Sequence, residues 1–105
     1  MIARLWHGIT LSEVAEEYLD LLQKTGVTDY LATPGNRGVQ LLHRIEGRLA
    51  HYLIISHWDS LQAIEAFAGS DITISKYYPE DADFLLEYEP TVVHYEVDDY
   101  PATAS

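Results

Sequence analysis

Apolar and polar side chains alternate along residues 2–8, many of them β-branched or aromatic, and the run ends at Gly8, which predicts a first strand. Thr10 with Glu13 three residues on has the form of a capping box. Behind it Leu11, Val14, Ala15, Tyr18 and Leu22 recur at helical spacing, with Glu13, Glu16, Glu17 and Asp20 on the other side. Lys24 suits the end of that helix and Gly26 its stop. Residues 30–38, rich in turn formers, are expected to be a loop. Residues 39–46 and 49–58 predict a hairpin turning at Gly47. Asp59 with Gln62 marks a second helix start, with Leu61, Ile64, Phe67 and Ala68 on its apolar side and Gly69 at its end. Residues 81–86 suggest a short helical turn, and residues 91–97 a fourth strand.

The order β-α-β-β-α-β is that of a ferredoxin-like α+β domain: a four-stranded antiparallel sheet with two helices on one face. Residues 1–97 form that domain, and residues 98–105, with Pro101 and small side chains, are expected to be a flexible tail. The third strand goes further. Its even positions (Ala50, Tyr52, Ile54, Ser56, Trp58) and its odd ones (His51, Leu53, Ile55, His57) are both mostly apolar, yet neighbouring residues point to opposite faces. Two helices cover one face only. A second copy of the chain, packed sheet to sheet as a homodimer, is the economical cover for the other.

Composition narrows the function. The 105 residues carry six Lys+Arg against 17 Asp+Glu, a formal charge of −11, which makes nucleic acid and anionic membrane surfaces poor partners. There is no cysteine, so disulfides, thiolate metal sites, Cys nucleophiles and iron–sulfur clusters are excluded. No apolar run approaches the length of a membrane span, and Met1 opens onto no basic-then-apolar leader, so a soluble cytoplasmic domain is expected. Five histidines invite a metal reading, but His51 and His57 stand six residues apart on one strand, roughly 20 Å at about 3.3 Å each. No His-x-His or His-x-x-x-His spacing occurs. His43, His57 and His94 reach one place only if neighbouring strands bring them together. The acidic run at 80–83 lacks the glycine and closing glutamate of a calcium loop, and residues 34–38 lack the Gly-Lys-Ser/Thr ending of a phosphate loop.

The layout as a whole, with Trp58-Asp59-Ser60 closing the third strand into the second helix and Thr-Pro-Gly-Asn-Arg-Gly at 33–38, resembles the antibiotic biosynthesis monooxygenase family. Glu-Pro-Thr-Val-Val-His-Tyr-Glu-Val at 89–97 is similar to one bacterial subgroup of it. The resemblance covers roughly residues 1–97. It implies a dimeric α+β barrel with a cavity between sheet and helices for a flat aromatic molecule, and a monooxygenase that needs no cofactor. Some such relatives oxidise electron-rich phenols with molecular oxygen alone. A deprotonated phenol can itself pass an electron to oxygen, so the protein has only to bind it, favour the anion and exclude water. The superfamily also holds haem-degrading enzymes, lyases, isomerases and small-ligand binders without catalysis.

Six residues are candidates for such a site. Trp6, Asn36 and Phe67 are the candidate substrate-binding residues, and His57, His94 and Tyr77 the candidate catalytic ones. His57 and His94 are the candidates for proton acceptance. By resemblance, Trp6 lies near the position of a catalytic Asn in the haem-degrading members, Phe67 at that of a Trp, and Tyr77 at that of the haem-ligating His. With all three different, the resemblance points away from haem degradation. Each residue also has a plainer reading. Trp6 and Phe67 are suited to core packing, Asn36 to a left-handed turn, and the histidines to a neutral buried state. In a ferredoxin-like arrangement the principal internal cavity is expected to be lined by at least two of Trp6, Asn36, Phe67 and Tyr77, together with a histidine of strand three or four.

Overall fold

A computed structural model describes residues 1–103. Its sheet contains β1 (Ile2–Leu11), β2 (Asn36–Glu46), β3 (Leu49–Trp58) and β4 (Val93–Glu96), in the order β2-β3-β1-β4. All three neighbouring pairs are antiparallel. Three helices cover one face: α1 (Ala15–Leu22), α2 (Thr28–Ala32) and α3 (Leu61–Ala68). This is the expected ferredoxin-like α+β fold.

The period-two pattern sorts the strands onto two faces. On β1 Arg4, Trp6, Gly8 and Thr10 are buried, and on β3 so are Ala50, Tyr52, Ile54, Ser56 and Trp58. The register pairs Trp6 with Ile54 and Gly8 with Tyr52, so all of these lie under the helices. There they join Tyr18 of α1, Tyr30 of α2, and Ile64 and Phe67 of α3 in one core. Tyr30 stacks on Phe67 at 4.3 Å between ring centroids, and Tyr18 meets Tyr52 edge-on at 5.0 Å. Gly8 is required by this packing: a Cβ there would lie 2.6 Å from the Trp6 ring.

The opposite face behaves differently. Its β3 residues, Leu49, His51, Leu53, Ile55 and His57, are all half-buried. Leu42, Val93 and Tyr95 beside them are 45%, 51% and 58% exposed.

Several local expectations need correction. Thr10 does not cap a helix: its hydroxyl bonds to Leu11 O and to the Tyr52 hydroxyl 2.9 Å away, and β1 runs on to Leu11. Gly26 does not stop the helix either. A π-helical turn, Gln23–Val27, absorbs it and leads into α2, so Tyr30 is core where a loop was expected. The cap of α3 is Ser60 rather than Asp59, its hydroxyl accepting from Ala63 N at 3.2 Å. Asp59 instead pairs with Arg37. Leu61 turns outward and is 48% exposed. The predicted turn at 81–86 is a 3-10 helix at Pro79–Asp83. Gly47 makes the β2–β3 hairpin turn at φ 59°, where a side chain would be strained. Of the expected tail, residues 98–103 carry no regular structure, and residues 104–105 lie outside those described.

Candidate functional site

A cavity of about 20 Å³ lies between the sheet and the helix layer. Trp6 and Ile54 form its floor, Tyr30 and Phe67 the helix side, and Lys76 and Tyr78 the side given by the segment after α3. The π-helical turn contributes Thr25 and Gly26. The volume suits about one water. The walls are largely aromatic, with Thr25, Lys76 and Asp81 among the lining residues, and two of their polar groups stand out. The indole N–H of Trp6, a residue 4% exposed, has no hydrogen-bond partner. The Lys76 ammonium lies 4.4 Å from the Phe67 ring centroid and donates to Phe67 O at 3.4 Å.

Arg4 flanks this cavity. It is two residues before Trp6 on the same face of β1 and 1% exposed, with its Cζ 5.9 Å from the Phe67 centroid. Its guanidinium donates to Ile72 O, to Ile74 O at 3.2 Å, and to Nε2 of His94 at 3.1 Å. Its Nε has no partner, and no carboxylate forms an ion pair with it among the described residues. Burial pulls the Arg4 pKa below the usual guanidinium range. Burial, and then the Arg4 charge, pull His94 below its ordinary value, so its imidazole is held neutral as an acceptor. Burial raises the Tyr30 phenol, with Arg4 and Ser56 acting against it.

Acidic groups hold the cavity's outer wall. Asp81, 2% exposed, accepts from the Tyr18 hydroxyl at 2.9 Å and from Tyr78 N at 2.8 Å. The Tyr78 hydroxyl donates to Asp29, which joins that wall to α2. Burial raises both phenols, and the neighbouring carboxylates raise them further. They are donors, held protonated.

The six candidates from the sequence divide. Trp6 and Phe67 line the cavity, and Tyr77 meets Trp6 edge-on at 6.1 Å while donating to Glu89 O at 2.5 Å. His94 approaches through Arg4. His57 does not, because it sits on the opposite face of the sheet beside Gln40, with its Nδ1 unpartnered. Asn36 is also apart. It pairs with Trp58, four residues from Ile54 along β3, roughly 13 Å at about 3.3 Å each. There its Oδ1 accepts from Gly38 N at 2.9 Å and braces a bulge at the start of β2.

Arg4, Tyr30, Lys76 and Tyr78 escaped the sequence reading. Arg4 alone left a signal, as a charge on the inward side of an alternating strand, between Ala3 and Leu5. Among the described residues no group of three or more His, Cys, Asp or Glu side chains is placed to hold a metal ion. A second hollow of about 320 Å³ opens on the uncovered face of the sheet, lined by His7, Leu42, His51 and Leu53 among others. It lies open on the face a partner would cover, so the cavity between sheet and helices is the candidate site.

A ferredoxin-like sheet with an aromatic cavity under its helices defines a class of small α+β domains. The sequence matches the family described as antibiotic biosynthesis monooxygenase over residues 10–73, and the chain belongs to that family. Among solved structures, a candidate antibiotic biosynthesis monooxygenase from Nitrosomonas europaea is similar with a TM-score of 0.67 and 13% identity, over 92% of this chain and 98% of that one. The heme-degrader MhuD from Mycobacterium tuberculosis, solved with two hemes bound in its active site, is similar with a TM-score of 0.60 and 19% identity, over 97% and 100% of the two chains. At these identities the likeness is one of fold. No curated protein matches the chain. No helix is long and apolar enough to cross a membrane.

Proposed function

We propose that the protein is a cofactor-independent monooxygenase acting on an aromatic, phenol- or quinol-type small molecule in the cavity between sheet and helices. The observation that carries the reading is the aromatic-lined cavity with the unpartnered Trp6 indole N–H, in a chain of the monooxygenase family. An aromatic ligand would lie between Trp6, Tyr30 and Phe67. Its phenol loses a proton, and the anion gives one electron to molecular oxygen. The aryloxyl radical and superoxide combine to a peroxide on carbon, which loses water to leave a carbonyl. The protein's part is to hold the anion and keep water out. His94 accepts from Arg4 at Nε2 and so carries its own proton on Nδ1; Nε2 is the nitrogen that takes the phenol proton, as Arg4 turns to the phenolate, and returns it to the peroxide before water leaves. Tyr77, in contact with Trp6, positions the indole. His57 and Asn36 lie too far from the cavity for a direct part and act through strand geometry.

The protein works as a homodimer in the cytoplasm. Support for the dimer comes from the uncovered sheet face, where Leu42, Leu53, Ile55, Val93 and Tyr95 meet no helix.

Oxygen uptake with a panel of anthrones and naphthoquinols tests the activity. Saturable uptake above autoxidation is expected, reduced at least tenfold by Trp6→Leu. Binding without uptake for every member of the panel would make the chain a non-catalytic small-ligand-binding domain.

A further inference from the structure

We propose that Arg4 and Trp6 form a paired donor site for an anionic ligand oxygen, so that the cavity selects aromatic molecules carrying a carboxylate or phenolate. The proposal rests on this cavity being the ligand site, and not on any oxidation taking place there.

The first ground is charge. Lys24 pairs with Asp20, Arg37 with Asp59 and Arg44 with Glu46, all of them exposed. Arg4, Arg48 and Lys76 have no carboxylate partner among the described residues, and of these three Arg4 is the one that is buried, at 1% exposure, in a chain with 17 acidic residues. Burying an uncompensated charge is unfavourable, and carbonyl acceptors offset it only in part. A fold that retains one offers a place for an anion.

The second ground is geometry. Arg4 Nε and Trp6 Nε1 are both buried and both without partners. They belong to residues i and i+2 on one strand face, roughly 7 Å apart at the backbone. Trp6 and Phe67 line the cavity and the guanidinium lies behind the Phe67 ring, so a carboxylate, or a phenolate flanked by a second oxygen, lodged between the two side chains would offer an oxygen to each donor. The apolar part then meets Tyr30 and Phe67, with Lys76 adding a positive charge to the lining and Asp81, already bonded to Tyr18 and Tyr78, a carboxylate.

Phe67 governs access. It is a wall of the cavity and also packs against the guanidinium. The 20 Å³ present admits no ring system, so binding of an aromatic ligand requires a lining side chain to move, and Phe67 is the one that also covers the guanidinium.

The indole N–H signals of the ¹⁵N-labelled full chain provide the test. There are two tryptophans, and the N–H of Trp58 is already bonded to Ser56 Oγ at 2.8 Å, so it serves as an internal control. Titration with 2-naphthoate is expected to move the Trp6 signal saturably and leave that of Trp58 in place. Neutral 2-naphthamide should bind at least tenfold more weakly. Arg4→Met should remove that preference and Arg4→Lys restore part of it, with folding read from the same spectra. Should Arg4→Met fail to fold, the ratio of the two probes in the wild type and in Trp6→Phe decides. Equal binding of the two probes, an unmoved Trp6 signal, or undiminished naphthoate binding by Arg4→Met overturns the proposal. Naphthoate binding with no oxygen uptake on any phenol retires the oxygenase reading and leaves the anion site standing. Phenol oxidation by Arg4→Met at the wild-type rate does the reverse.

Discussion

Arg4 of β1 and His94 of β4 face each other in register, and a guanidinium N–H donates to the imidazole Nε2 across 3.1 Å. The contact is possible only while the imidazole is neutral, since His⁺ offers no acceptor. Burial and the Arg4 charge both lower the His94 pKa from its ordinary 6.5. As pH falls through that value, the unfolded chain therefore takes up a proton that the native state refuses, and stability declines. Thermal melts between about pH 7 and pH 5 should show this decline, in the range where an unperturbed histidine titrates. His94→Gln, which keeps an acceptor for Arg4 but does not titrate, should flatten it. Glu46 and Asp71 are held below their ordinary 4.5 and 3.8 by hydrogen bonds, so their contribution is lost only at more acid pH. A pH profile identical in wild type and His94→Gln would contradict the assignment.

Gly8 makes room for Trp6, and through Trp6 for the cavity floor. Gly8→Ala puts a Cβ 2.6 Å from Trp6 Cη2 and 3.1 Å from Leu85 Cδ2, so the indole has to shift. The expected cost is about 1–3 kcal/mol, the usual penalty for overpacking. Urea denaturation would measure it, and any ligand binding reported by the Trp6 indole should weaken in parallel.

Phe67 divides stability from access. Phe67→Ala removes the ring that stacks on Tyr30 at 4.3 Å and closes the cavity. Stability should fall by about 3–5 kcal/mol, as for other buried phenylalanines. Aromatic probes should bind more readily to the enlarged cavity. A crystal structure showing the void filled by collapse of α3 would argue against an accessible site there.

Tyr18→Phe probes the buried carboxylate. It removes the 2.9 Å donor to Oδ1 of Asp81, a residue 2% exposed, and leaves that oxygen without a partner while Oδ2 keeps Tyr78 N. A loss of about 1–3 kcal/mol is expected from an unsatisfied buried acceptor. A shift in the cavity's outer wall should accompany it, because the same carboxylate accepts from Tyr78 N.

The uncovered sheet face makes a prediction about assembly. Light scattering at micromolar concentration should give about twice 11.9 kDa. Leu53→Arg, at the centre of that face, should yield a folded monomer, because an unpaired charge is not tolerated inside such an interface. A wild type that runs as a well-folded monomer would remove the dimer.

The strands, their order and the two-faced character of β3 were legible in the sequence, because a period of two depends only on the pleat and on neighbouring residues. Trp6 and Phe67 were legible as candidates for the same reason, since large aromatic side chains on an inward face have few other places to go. Gly26 misled, because the chain could absorb it in a π-helical turn once Tyr30 had a core to enter, and that core consists of residues from β3 and α3. Thr10 misled in the same way, since its hydroxyl found Tyr52, 42 positions away, rather than the next turn of helix. The separation of His57 from His94 also needed the folded sheet. Strand alternation puts each on a definite face, but only the register of β1 with β3 and β4 says that the faces are opposite. The orphaned donors of Arg4 and Trp6 belong to the tertiary structure alone. A hydrogen bond that is missing is a property of everything packed around an atom, and no local pattern in the chain records it.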